Sequence, residues 1–160
     1  VRTDVTSNIG EVMNENTTPI LRKSIEKMNT WLHEIQINAG WVNESALALA
    51  VLRATLHELR DHLLLNELAH FSAQLPLIVR GIFFENWQPS KQRIKERHLK
   101  DFLNTIYGNL PETYQDLDIK SAVEAVFVVL KSKLGAGEVE KISNNLPHGI
   151  RDFIMEVLKK

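Results

Sequence analysis

There is no cysteine anywhere in the 160 residues. That excludes disulfide staples, a cysteine nucleophile and thiolate metal sites, and it fits a reducing, cytoplasmic setting. A dominant charge is missing too: the net charge of −1 gives no overall pull toward nucleic acid or a membrane surface. Long apolar runs are also absent. Stretches such as Ala46 to Leu52 (ALALAVL) fall far short of the ~20 residues a membrane-spanning helix needs. Val1 to Asn16 is polar, carries no apolar segment of the secretory kind, and reads as a flexible lead-in. What is present is a globular composition, 44% hydrophobic and 24% charged. The length suits one ordinary domain or two small ones and can bury enough surface to fold unaided.

The chain matches itself. Sliding it by 71 positions lays Leu75-Pro76 on Leu146-Pro147 and Arg80 on Arg151. The same ungapped shift pairs Trp31 with Phe102, Leu32 with Leu103, Ile35 with Ile106, Ala54 with Ala125 and Leu59 with Leu130. It also pairs Glu67 with Glu138 and Ser72 with Ser143. So many coincidences in one register, mostly at apolar positions, point to a tandem duplication. The expected organisation is an N-terminal extension over 1–18, a first repeat over 19–89 and a second over 90–160. These form either one compact domain or two closely packed halves.

Each unit reads as about four helices. In the first, Thr18 and Pro19 suit a helix start, and Ile20, Leu21, Ser24, Ile25, Met28, Trp31, Leu32 and Ile35 recur at helical spacing. Gly40 suits its end. A second helix is predicted from about Glu44 to His62, with Asn43 or Ser45 as cap and Leu49, Leu52, Leu56, Leu59 and Leu63 inward. A short third runs from about Glu67 to Gln74, capped by Asn66. Pro76 opens a fourth, which carries Val79, Ile82, Phe83 and Trp87. In the second unit a helix is expected from Ser90 through Tyr107. The next is capped by Asp116 and stopped at Gly135, a short one starts near Gly137, and Pro147 opens the last. The fold class is all-α, a roughly four-helix unit used twice in one bundle.

The repeated Leu-Pro-x-x-x-Arg string has two readings. As a joint, Pro76 and Pro147 each start a helix directly after another has ended. Arg80 and Arg151, one turn on, can then donate to the unpaired carbonyls closing a neighbouring helix, or to Glu67 or Glu138. As a site, the two arginines would face a shared groove and bind an anion. The joint is the favoured reading. After the first Arg comes an aromatic run, Phe83, Phe84 and Trp87, suited to the core or to an exposed patch for a partner. "QLPLIVRGIFFENWQP" (Gln74 to Pro89) resembles the signature of the bacterial domain of unknown function 2267 family, and the resemblance extends from about Met28 to Leu158. It implies an all-helical, uncharacterised protein and carries over no catalytic residue. The segment before Met28 is the departure from the family pattern.

Other chemistry is poorly supported. In "HELRDH" His57 and His62 are five apart, not the four that a zinc-protease helix requires. Their neighbours Asp61 and Glu58 make i,i+4 pairs that suit a solvated surface. Glu67-x-x-His70 has the spacing of di-iron bundles, but the equivalent Glu138-x-x-Lys141 lacks the second histidine. The basic stretch Ser90 to Lys100 suits a solvated helix face, and no recognition-helix pattern accompanies it. No metal, cofactor or catalytic set is expected. The expectation is a non-enzymatic helical-repeat protein that acts through a protein partner or self-association, without membrane or nucleic acid as partner. The alternative is a small-anion or small-ligand module using Arg80 and Arg151.

Overall fold

The computed structural model describes residues 16–92, 98–114 and 116–160. The described residues are all-helical, with eight α-helices, two 3-10 turns and no strand. The helices are α1 (Pro19–Ala39), α2 (Ser45–His62), α3 (Leu65–Ala73) and α4 (Leu77–Phe83). After a 3-10 turn (Pro89–Lys91) come α5 (Leu99–Gly108) and a second turn (Glu112–Tyr114). The chain closes with α6 (Ile119–Leu134), α7 (Ala136–Ser143) and α8 (His148–Leu158). None of these helices is long and apolar enough to cross a membrane.

Local chemistry sets the boundaries. Pro19 occupies the first turn of α1, where its missing N–H breaks no bond. Gly40 closes α1 at φ +75°, and the Trp41 N–H returns to the Gln36 carbonyl at 2.8 Å. Gly135, at φ +94° and ψ 148°, both ends α6 and starts α7. That backbone conformation is essentially restricted to glycine, and it lets one helix turn directly into the next. Pro76 and Pro147 sit just ahead of α4 and α8.

Several boundaries differ from expectation. The cap of α6 is Asp118, not Asp116: its carboxylate accepts from the Ser121 N–H at 3.3 Å and from the Ser121 hydroxyl at 2.8 Å. Neither Asn43 nor Ser45 caps α2. Glu44 holds that position, and its N–H donates to the Gln36 side chain at 2.8 Å. Asn66 lies inside α3, which begins at Leu65. The helix predicted from Ser90 gives way to a 3-10 turn, and α5 starts at Leu99 behind an extended His98. The lead-in 1–15 and the middle of the basic stretch, residues 93–97, lie outside the described residues.

The core runs through both halves of the chain. Trp31 and Ile35 of α1, Val51, Leu52, Leu56 and Leu59 of α2, and Phe102 and Ile106 of α5 are almost wholly buried. So are Val123, Val126, Phe127 and Leu130 of α6. Each contributes roughly 1.5–3 kcal/mol by leaving water. α1 packs along α6, α2 against α5 and α6, and α3 against α7. Two expectations about α1 and α2 need correction. Ile20 and Leu21 share the helical period of α1 yet are 62% and 51% exposed, because the core stops short of the first turn. Glu58 and His62 are not a solvated pair. Both are buried, because α2 is enclosed on more than one side.

The α6 cap gives a pH-dependent expectation. The Ser121 hydroxyl and N–H hold the Asp118 carboxyl below its ordinary value of 3.8. A depressed folded pKa stabilises the protein above the unfolded value, and the effect fades as pH falls through the folded one. Loss of this helix cap in Asp118→Ala should cost about 1 kcal/mol near neutrality. In urea titrations the gap between the two proteins should close only below pH 3.8.

Candidate functional site

The Leu75-Pro76 corner is the best-defined candidate. α3 ends at Ala73 and α4 starts at Leu77, so the last carbonyls of α3 have no partner within their own helix. Arg80, one turn into α4, reaches back to them. Its Nε donates to the Ser72 carbonyl at 3.0 Å, and its Nη2 to the Ala73 carbonyl at 3.5 Å and to that of Leu75, just past the helix, at 2.9 Å. Neither Glu67 nor Glu138 receives this arginine. Glu67 accepts from Asn145 at 3.1 Å, and Glu138 lies 3.4 Å from His70.

The second copy of the motif differs. Arg151 is exposed, and its side chain makes no hydrogen bond or ion pair with the described residues. Pro147 precedes α8 as Pro76 precedes α4, but the carbonyl clasp is made once. The two arginines are not brought together, since Arg80 lines the groove beside its corner and Arg151 does not.

That groove has a volume of about 1010 Å³. The first half of α1 supplies one wall (Pro19, Ile20, Lys23, Lys27, Trp31), and the α3–α4 corner supplies another (Gln74, Leu75, Leu77, Arg80). The end of α6 adds Lys133 and Leu134. Lys133 is matched by Glu34 at 2.6 Å. Lys23, Lys27 and Arg80 outnumber the one carboxylate of the lining, Glu26.

The aromatic run divides. Phe83 is fully buried against Phe71 and belongs to no surface. Phe84 and Trp87 are half-buried, stacked edge to face with centroids 5.4 Å apart. The Trp87 indole N–H donates to the Gln92 side-chain oxygen at 2.8 Å. The Gln92 amide then donates to the Arg60 and Leu63 carbonyls, at 2.6 Å each, at the end of α2. Trp87 is therefore part of a helix-closing network.

The "HELRDH" segment is the other half of that network, a role sequence reasoning missed. Arg60, 4% exposed, donates to the Phe83 and Glu85 carbonyls at 2.8 and 2.9 Å, and Asp61 balances its charge at 2.8 Å. The His57 Nε2 meets the Ile82 carbonyl at 2.6 Å. Burial lowers the His57 pKa, the neighbouring Arg60 charge adds to this, and the Ile82 contact opposes it. His62 faces inward, edge-on to Phe102 at 5.5 Å. A buried arginine paired with an aspartate leaves no periodic mark in a sequence, and no signal pointed to it.

Among the described residues no three His, Asp or Glu side chains converge as metal ligands. Glu67 and His70 go to different partners, Asn145 and Glu138, across the contact of α3 with α7.

The profile of the family described as "Uncharacterized conserved protein (DUF2267)" matches residues 28–153. The chain belongs to this family. The matched span takes in both Leu-Pro-x-x-x-Arg strings, the aromatic run and the polar network. No curated protein matches the chain.

The unequal arginines give a direct test. Arg80→Ala should lower stability by about 1–3 kcal/mol, because three carbonyls lose a charged donor. Arg151→Ala should stay within about 0.5 kcal/mol of the parent. Equal losses in thermal melts of the two variants would contradict this assignment.

Proposed function

We propose that this DUF2267 protein is a non-enzymatic helical-repeat module that acts by binding a protein partner or by self-association. One observation carries the reading. Large apolar side chains, Ile20 at 62% and Leu77 at 50% exposure, stand on two elements that line one groove. Apolar surface rimmed by charge is the usual mark of a protein-binding face. The polar groups nearest to a catalytic pattern, His57, Arg60 and Arg80, are engaged in closing helix ends.

The reading includes the tandem duplication. Its support is that the starts of α3 and α7, Leu65 and Ala136, are related by the 71-position shift, as are those of α4 and α8, Leu77 and His148. The contacts follow the same relation: α1 with α4 and α5 with α8, α2 with α4 and α6 with α8, α1 with α6 and α5 with α2. Even a small bond recurs. The Ser72 hydroxyl donates to the Ala69 carbonyl, and the Ser143 hydroxyl donates to that of Glu140. Stacked copies of one unit create broad faces and grooves suited to macromolecular partners.

The second reading is a small-anion site. It draws on Lys23, Lys27 and Arg80 sharing the groove, and it is weakened by the carbonyl bonds of Arg80 and by the separation of Arg151 from the groove. Sedimentation velocity of the full chain, together with affinity capture competed by untagged chain, tests the interaction reading. Self-association, or a partner retained in fixed ratio, is expected. A monomer at every concentration that retains no protein but binds phosphate would contradict it.

A further inference from the structure

We propose that the groove between α1 and the α3–α4 corner takes one amphipathic helix of a partner protein, with its apolar face flanked by aspartate and glutamate. The proposal rests on the interaction reading above and gives the partner a chemistry.

The apolar half of the argument is geometric. The inward period of α1 continues past the core, so Ile20 is left out where the helix overhangs. Leu77, the first residue of α4, stands exposed on the opposite side of the same groove, with buried Trp31 and Leu75 between them. Such a floor accepts the apolar stripe of a helix. A helix also satisfies its own backbone groups, whereas a peptide bound by strand addition needs a sheet edge, and the described residues contain no strand.

The polar half is electrostatic. Lys23 and Lys27 are exposed on successive turns of α1, and Arg80 lies across from them. Glu26 offsets one of these charges, while Lys133 is neutralised by Glu34. The N-terminus of the 21-residue α1 opens at the same mouth and adds the positive end of its dipole. An acidic helix is drawn to this face, and a basic one is repelled.

The test uses the full chain and a fluorescently labelled amphipathic peptide, with leucines along one face and glutamates beside them. A twin carries lysines in place of the glutamates. Anisotropy should show the acidic peptide binding and the basic twin failing to bind. Lys23→Glu with Lys27→Glu, both at exposed positions, should weaken binding about tenfold or more, as should Leu77→Asp, with unchanged melting of each variant as the control. Equal binding of the two peptides, or indifference to these substitutions, overturns the proposal. Binding that appears only after deletion of residues 1–15 also overturns it, and assigns the groove to the chain's own N-terminal segment. Displacement by inorganic phosphate alone would make the groove an anion site. A partner captured equally by the parent and by the lysine variant would leave the interaction reading standing and sink this one.

Discussion

The structure depends on helices from the two halves of the chain burying each other. α1 belongs to the first half, yet it packs along α6 of the second, while α2 packs on both α5 and α6. Val51, Leu52, Leu56 and Leu59 on α2 meet a core completed by Phe102, Ile106, Val126 and Phe127 from the other half. Neither half has a closed core without the other. The groove follows from the same crossing, because its walls come from α1 and the α3–α4 corner and its end from α6.

Given that packing, the main structural problem is the helix ends. Short helices meet at tight corners, and each corner strands carbonyl groups that must find donors. Long side chains from neighbouring helices supply them. Arg80 serves the end of α3, Arg60 and His57 serve the end of α4, and Gln92 serves the end of α2. An uncompensated buried guanidinium would be costly, and Asp61 at 2.8 Å together with two carbonyls removes that cost for Arg60. This accounts for a dense set of His, Arg and Asp residues on α2 that in sequence resembles a catalytic motif and in space is a clamp.

Much of the fold was legible because helical period and proline placement are local properties. Met28, Trp31, Leu32 and Ile35 recur at helical spacing, and all are buried. The corner at Pro76 was legible because proline cannot continue the preceding helix. The failures are non-local. Ile20 carries the same period as Met28, but whether another element covers it depends on where α4 and α6 end. Glu58 and His62 look like a surface pair at i,i+4, and only the enclosure of α2 puts them inside. Asp116 and Asp118 are equivalent as caps on paper, and only the Asp118 carboxylate meets the Ser121 N–H. Arg80 and Arg151 share a motif but not a bonding pattern, since sequence spacing does not fix where a guanidinium reaches. The groove itself was illegible, being made from elements about fifty residues apart and more.

The central claim is that the two halves share one core, and calorimetry of the full chain tests it most directly. Shared burial between α1 and α6 and between α2 and α5 predicts a single unfolding transition whose calorimetric and van't Hoff enthalpies agree. Two resolved transitions, or a calorimetric enthalpy well above the van't Hoff value, would mean that the halves melt independently and would contradict the account.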